Sequence, residues 1–466
     1  MLFTSLEFVT LFLPGVLAVY FLLPRRFRNA RNLLLLLASL FFYACGESRH
    51  LPLLLASILA NYLLGAGMMR ARDRATARRM LTAVTAAFNL SVLFVFKYLT
   101  FTLSTVRSLT GARFEVPQIA LPIGISFFTF QAMSYVLDIA RHRADAQRNP
   151  LWVGLYIAFF PQLIAGPIVK YETVAREIVA RRESWADFSA GLCRFAVGFA
   201  KKILLANTLA IVADEAFGSA ALPVGLAWLG SFAYTFQIFF DFSAYSDMAI
   251  GLGRMFGFHF EENFNYPYFS RSVTEFWRRW HISLSTWFRD YVYFPLGGSR
   301  VPRAKQYRNL FTVWLLTGIW HGANWTFLAW GLYYFVLLAL EKSRGWDKRA
   351  LRPWRIPLTF LLANTGWVLF RAESLPAALR FLAAMLGITG DGLWNDAATA
   401  ALRDYKVFFV LAALFSVPLA RWIGQHRLAK SAPAALLYTA GLLAAVLLAF
   451  SYLAKGAYNP FIYFNF

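Results

Sequence analysis

The chain has 466 residues, 59% of them hydrophobic and 18% aromatic, with only 15% charged and a formal net charge of +22. A soluble protein of this length would place far more charge on its surface, so the composition excludes a soluble globular fold and indicates a polytopic membrane protein. The basic residues are scattered among short loops instead of forming one face, which argues against nucleic acid as a partner and leaves attraction to anionic membrane lipids.

Runs of roughly 18 or more mostly apolar residues are long enough to cross the hydrocarbon core as helices. In chain order, clear runs lie near 5–24, 51–69, 81–101, 151–169, 325–341, 356–371 and 433–454. Shorter or more polar ones lie near 31–45, 118–140, 189–212, 223–256, 308–323 and 405–420. The expected fold is an all-α polytopic membrane protein with about 11 to 13 membrane helices, some of them re-entrant. The first run is too long for a removable signal peptide, and lacks its basic leader and small-residue exit. Polar connectors fall near 170–188, 342–354 and 388–404, and no internal repeat or low-complexity tract is visible. Residues 1–466 therefore read as one integral membrane domain, with a motif-rich core at about 118–371.

Charge gives an orientation. No Lys or Arg precedes the first run, and the next loop carries Arg25, Arg26, Arg28 and Arg31. Arg49 stands alone in the following loop, which is succeeded by Arg70, Arg72, Arg74, Arg78 and Arg79. Arg107 and Arg113 come next, then Arg141, Arg143 and Arg148. Basic residues thus concentrate in alternate loops, and the positive-inside bias puts those loops in the cytoplasm and the amino terminus outside it. A basic cytoplasmic mouth also favours an anionic donor such as a coenzyme A thioester or an acyl carrier protein.

Several chemistries are excluded. There is no P-loop, and the glycines of Gly251-Leu-Gly-Arg-Met-Phe-Gly257 miss the dinucleotide spacing and follow a membrane helix. His259-Phe-Glu-Glu262 lacks the second histidine of a zinc-protease helix, and Cys45 and Cys193 are isolated, so neither a metal site nor a disulfide is expected. No G-x-S-x-G elbow supplies a serine nucleophile.

What remains is polar residues set in apolar runs, where each is costly enough to be a functional candidate. In LTGIWHGANWTFLAWG, Leu316 to Gly331, a continuous helix would align Thr317, His321, Asn324 and Trp325 as one stripe. Gly318 and Gly322 would let another backbone or a substrate come close. A neutral imidazole there can take a proton from an attacking hydroxyl and return it to a leaving group, while amide or indole donors hold an oxyanion. The plain alternative is a histidine satisfying an interhelical hydrogen bond. In Glu275 to Asp290, Trp277, Trp280, Leu284, Trp287 and Tyr291 recur at helical spacing in a segment too charged to span, with Arg278, Arg279 and His281 beside them. That is an amphipathic segment, lying in the interface or dipping into a cavity. In Tyr234 to Asp247, Gln237, Asp241 and Tyr245 share a stripe and Asp247 points elsewhere, which favours helix–helix bonding over a paired acid and base.

The segments FFPQLIAGPIVKY, FFDFSAYSDMAIGLGRMFGF, FWRRWHISLSTWFRDYVYFPLGGSR, IWHGANWTFLAWG, NTGWVLFRA and NPFIYFNF resemble the membrane-bound O-acyltransferase family. The likeness covers nearly the whole chain. It is strongest to the bacterial branch of alginate and peptidoglycan O-acetyltransferase membrane subunits, and weaker to the teichoic acid D-alanyl transfer protein. The resemblance implies a ring of helices around a central tunnel, in the bacterial inner membrane. It implies catalytic roles for His321, in the W-H-G-x-x-W segment, and His281, in the W-R-R-W-H segment. It also implies a cytoplasmic thioester donor, acetyl-coenzyme A or an acyl carrier protein, and no bound cofactor or metal. The acceptor would be an extracytoplasmic polysaccharide such as alginate, cellulose or peptidoglycan, reached through a serine-hydrolase-like partner within a polysaccharide synthesis or export complex.

On both readings His321 activates the acceptor hydroxyl, and Asn324, Trp320 or His281 stabilises the tetrahedral oxyanion. Trp325, Trp277, Arg278, Arg279, Asp241 and Gln237 complete the candidate binding residues. D-alanyl transfer, a non-catalytic transporter of an acyl donor or glycan, and a passive scaffold are the alternatives. The transporter is disfavoured by the missing inverted repeat.

Overall fold

The computed structural model describes residues 1–346, 352–425, 431–456, 458–460 and 462. Among the described residues the regular elements are helices, with no strand. Hydrocarbon dictates this outcome, because every backbone N–H and C=O must be satisfied internally, which a helix does within its own segment. The chain is an all-α multi-pass membrane protein. Helical stretches long and apolar enough to cross a membrane are Arg28–Arg70, Ala75–Thr110, Trp185–Gly218 and Ala432–Ala454. By its contacts the chain divides into two compact units, Met1–Phe195 with Ser246–Glu261, and Ala196–Tyr245 with Glu262–Phe466.

In the first unit, Phe3, Phe8, Phe42 and Phe160 form an aromatic core, with ring centroids 5.0 to 6.5 Å apart. Asn61 and Asn89 exchange amide hydrogen bonds between neighbouring helices, at 3.1 and 2.9 Å. Arg31 pairs with Glu183 at 3.0 Å, and the Tyr20 hydroxyl donates to the same carboxylate at 2.6 Å. One expected span is not a span. Residues 151–169 fold as two short helices, Pro150–Ala158 and Phe160–Leu163, followed by non-helical backbone. Pro161 has no N–H for the Ile157 carbonyl one turn back and its ring would clash with that carbonyl, so the helix breaks at Phe159 and Pro161 falls in the first turn of the next one. All of 152–170 is buried, which is how non-helical backbone is tolerated at membrane depth. The 118–140 candidate begins its helix only at Ile125, behind Pro122 and Gly124, whose φ is +73°.

The second unit is built on helices Arg303–His321, Trp325–Ser343 and Arg355–Arg371. The first two form an antiparallel hairpin whose backbones nearly touch. A Cβ on Gly318 would lie 2.6 Å from the Phe327 carbonyl oxygen, and one on Gly331 would lie 2.6 Å from that of Trp314. The glycines therefore admit the partner helix, one of the two roles foreseen for Gly318. Trp277, Trp314, Trp330 and Tyr334 fill the space beside the hairpin, Trp277 meeting Trp314 at 4.7 Å and Tyr334 at 4.8 Å. Such pairs contribute about 0.5–1.5 kcal/mol each beyond area burial.

Candidate active site

Helix Arg303–His321 ends on its histidine, because Gly322 is extended. Asn324 then caps the next helix, its Oδ1 accepting from the Thr326 N–H at 3.1 Å. The single stripe of Thr317, His321, Asn324 and Trp325 is thus corrected: a tight turn separates the first two residues from the last two. The cause is local, since Asn is among the strongest N-caps and offers the backbone an alternative to continuing the helix. Trp325 is 51% exposed, unlike the buried histidine. The Asn324 amide also donates to the Glu373 carbonyl at 3.0 Å, tying the turn to the end of helix Arg355–Arg371.

His321 is 5% exposed. Its imidazole meets the rings of Trp320, Trp330 and Phe370 at 5.0, 4.9 and 5.1 Å, all near edge-on. Trp330 is fully buried, and its indole N–H has no hydrogen-bond partner among the described residues. That N–H is a buried donor beside the imidazole which helical spacing in the sequence does not point to. Trp330 stands in the same motif, nine residues after His321 and on the other arm of the hairpin, so only the turn reveals it.

The amphipathic run Glu275 to Asp290 is likewise broken at its histidine. Two short helices, Val273–Arg279 and Ile282–Phe288, flank His281, whose φ of 44° and ψ of 55° are left-handed. For a residue with a Cβ that conformation costs roughly 1–2 kcal/mol. Asn263 holds it in place. Its Oδ1 accepts from the Ser283 N–H at 3.1 Å, from the Ser283 hydroxyl at 2.9 Å and from His281 Nδ1 at 3.1 Å. A backbone N–H can only donate, so the Asn263 atom is an oxygen and Nδ1 of His281 carries the proton. Nε2 is left with its lone pair, buried and without a partner among the described residues. The apolar stripe Trp277, Trp280, Leu284, Trp287 and Tyr291 is buried throughout, the arrangement expected of a segment that dips inward. Arg278 is exposed, whereas Arg279 is engaged by Glu275 at 2.6 Å.

A cavity of about 390 Å³ adjoins the His321 site. Phe370, against the His321 ring, lines it together with Gln237, Asn324, Thr326, Asp214 and Arg371. Arg371 pairs with Asp214 at 2.7 Å, and the Tyr458 hydroxyl donates to the same carboxylate at 2.6 Å. That hydrogen bond, with partial burial, pushes the Tyr458 phenol up to about 12, so it stays a neutral donor at physiological pH. Gln237 Oε1 is buried without a partner among the described residues. Asp241, one turn further along helix Val224–Met255, is spent on an ion pair with Lys202 at 2.8 Å. Asp247 makes a different pair, with Arg194 at 2.9 Å, so the two aspartates do not act together.

The structure therefore gathers His281, Trp320, His321, Trp277, Gln237 and Asn324 within the second unit, and sets Trp325 and Arg278 apart. Residues 125–345 match the sequence model of the membrane-bound O-acyltransferase family. The chain is 44% identical to the probable alginate O-acetylase AlgI of Azotobacter vinelandii over 89% of its own length and 83% of the relative's. The chain belongs to the membrane-bound O-acyltransferase family. It is 40% identical to the probable alginate O-acetylase AlgI of Pseudomonas putida over 100% of both chains. To the peptidoglycan O-acetyltransferase of Helicobacter pylori it is 36% identical over 84% of its length and 81% of the relative's. Membership makes this chain a membrane O-acyltransferase.

Proposed function

We propose that this O-acyltransferase moves an acetyl group from a cytoplasmic thioester to a hydroxyl bound for an extracytoplasmic polysaccharide, with His321 as general base. The observation that carries it is the position of His321, buried at a helix end between three aromatic rings, one of which also lines the cavity.

The acceptor oxygen attacks the thioester carbonyl carbon as its proton passes to the His321 imidazole. A tetrahedral oxyanion forms. Its collapse breaks the C–S bond, and the departing thiolate recovers the proton from the imidazolium. Trp330 joins Asn324 and Trp320 as a candidate donor to the oxyanion, and each such donor is worth on the order of a hundredfold or more in rate; neutral His281 leaves that set, because its single N–H is given to Asn263. Asn324 has one amide N–H left after bonding Glu373.

Charge supports a direction for the reaction. Arg303, Lys305, Arg308, Lys342, Arg344 and Arg355 lie around one end of the three-helix group, and Asn324, Arg371 and Glu373 at the other. The positive-inside bias makes the basic end cytoplasmic, so the cavity faces the acceptor side. Separately, the basic loops near 25–31, 70–79 and 141–148 favour an amino terminus outside the cytoplasm. Acetyl-coenzyme A or an acyl carrier protein thioester is the donor, drawn by that basic end and by the exposed Arg278. The names of the relatives favour acetyl over D-alanyl, and alginate, peptidoglycan or a comparable glycan as the polymer. A separate serine-hydrolase-like protein supplies the nucleophile elbow that this sequence lacks, within a polysaccharide synthesis or export complex.

Transfer of radiolabelled acetyl from acetyl-coenzyme A, by the protein in vesicles with its partner, tests this reading. Label in the acceptor that disappears in His321→Ala is expected. Transfer that survives the substitution would overturn it.

A further inference from the structure

The cavity has one wall that does not come from a membrane helix. Tyr458, Pro460 and Ile462, which follow helix Ala432–Ala454, line it opposite the polar residues of the hairpin turn. This segment is fastened from below by charges that acyl transfer itself does not use. Lys202 and Asp241 pair at 2.8 Å with side chains only 2% exposed each. Lys202 also donates to the Asn207 side-chain oxygen at 2.6 Å and to the Pro460 carbonyl. Asn207 donates in turn to the Asn459 side chain at 3.0 Å, and Asp241 Oδ2 accepts from the Ile462 N–H at 3.0 Å. Lys202 sits in a π-helical turn, Lys201–Ala206, inside an otherwise α-helical stretch. Such turns are local departures that frequently mark functional positions.

A buried ion pair inside an apolar helix bundle is weak evidence for stability, since apolar residues of similar volume often do as well. Its use here is directional. The two charges present one donor to the Pro460 carbonyl and one acceptor for the Ile462 N–H, which fixes where these two residues lie. We infer that Tyr458, Pro460 and Ile462 form a pinned wall of the acceptor cavity, and that Lys202 and Asp241 are positioning residues which hold it so that the acceptor hydroxyl reaches His321. The acceptor is of the class the proposed function requires, a carbohydrate hydroxyl or a serine on the partner. The inference rests on that reading for the identity of the cavity's occupant. It rests on geometry alone for the wall.

The test uses the full chain in vesicles, with Cys45 and Cys193 replaced by serine and a reporter Ile462→Cys. Ile462 is buried in the structure, so its thiol is expected to react slowly with maleimide in the parent. In Asp241→Asn, and in the double variant Lys202→Met with Asp241→Leu, labelling is expected to quicken about tenfold or more. Without the reporter, the acceptor KM is expected to rise about tenfold while the donor KM and kcat stay within about twofold. The double variant leaves no uncompensated buried charge, so it remains informative if Asp241→Asn fails to accumulate. Unchanged labelling with unchanged acceptor KM overturns the inference, as does a fall in kcat with no change in acceptor KM. A transfer activity indifferent to His321→Ala would overturn the proposed function without altering the labelling result, which reports the wall alone.

Discussion

His281 and His321 are joined through one side chain, Trp320, whose ring lies 6.1 Å from the first imidazole and 5.0 Å from the second. The two histidines come from separate motifs, one at a break between short helices and the other at a helix end. Each stands where the backbone leaves the helix, which frees it from helical spacing and lets it face a packed aromatic interior.

For His281 the left-handed backbone and the imidazole can be tested apart. Asn and Gly tolerate positive φ, so His281→Asn and His281→Gly keep the local fold while removing the ring. Both are expected to accumulate in the membrane at near-parent levels and to lose about 10²-fold or more in transfer rate. Near-parent rates in these two variants, with losses confined to His281→Ala, would reduce His281 to a conformational role.

Asn324 offers a stability prediction. Replacing it by Ala removes the cap of helix Trp325–Ser343 and the bond to Glu373, which is expected to cost about 1 kcal/mol. Asn324→Asp restores the cap alone and should recover part of the loss. Thermal unfolding of the detergent-solubilised protein measures it, and equal midpoints for the parent and the Ala variant would refute the capping role.

Gly318→Ala probes the hairpin. The added Cβ meets the Phe327 carbonyl at 2.6 Å, a backbone atom that can give way only by parting the helices. Overpacking of this kind costs typically 1–3 kcal/mol and should displace His321 from Trp330 and Phe370, lowering both stability and transfer. Gly15→Ala, with nothing within 4 Å of its Cβ, is the control and should be close to neutral. Equal behaviour of the two variants would contradict the close approach.

Hydropathy made most of the fold legible, because a helix in lipid needs only an unbroken apolar run. The 223–256 run is the single helix Val224–Met255, and the 325–341 run is Trp325–Ser343. It misled at 151–169, where composition is apolar but Pro161 breaks the helix, and burial within the protein permits what lipid would forbid. The site was legible as residue types, since a histidine in an apolar run is costly wherever it points. Its geometry was not. Asn324 was read as a member of a helical stripe when its side chain begins a new helix, and that turn brings Trp330 onto His321. Asp241 was read by its neighbours along one helix, whereas its partners, Lys202 and Ile462, are remote in sequence.

The account stands or falls on His321. The decisive measurement is the rate of acetyl transfer by His321→Ala relative to the parent, at matched levels of folded protein in the membrane. Loss of a general base predicts a fall of roughly 10² to 10⁴ with little change in stability, whereas loss of one interhelical hydrogen bond costs only about 0.6 kcal/mol. A near-parent rate would contradict the account, and would make His321 a packing residue in an aromatic core.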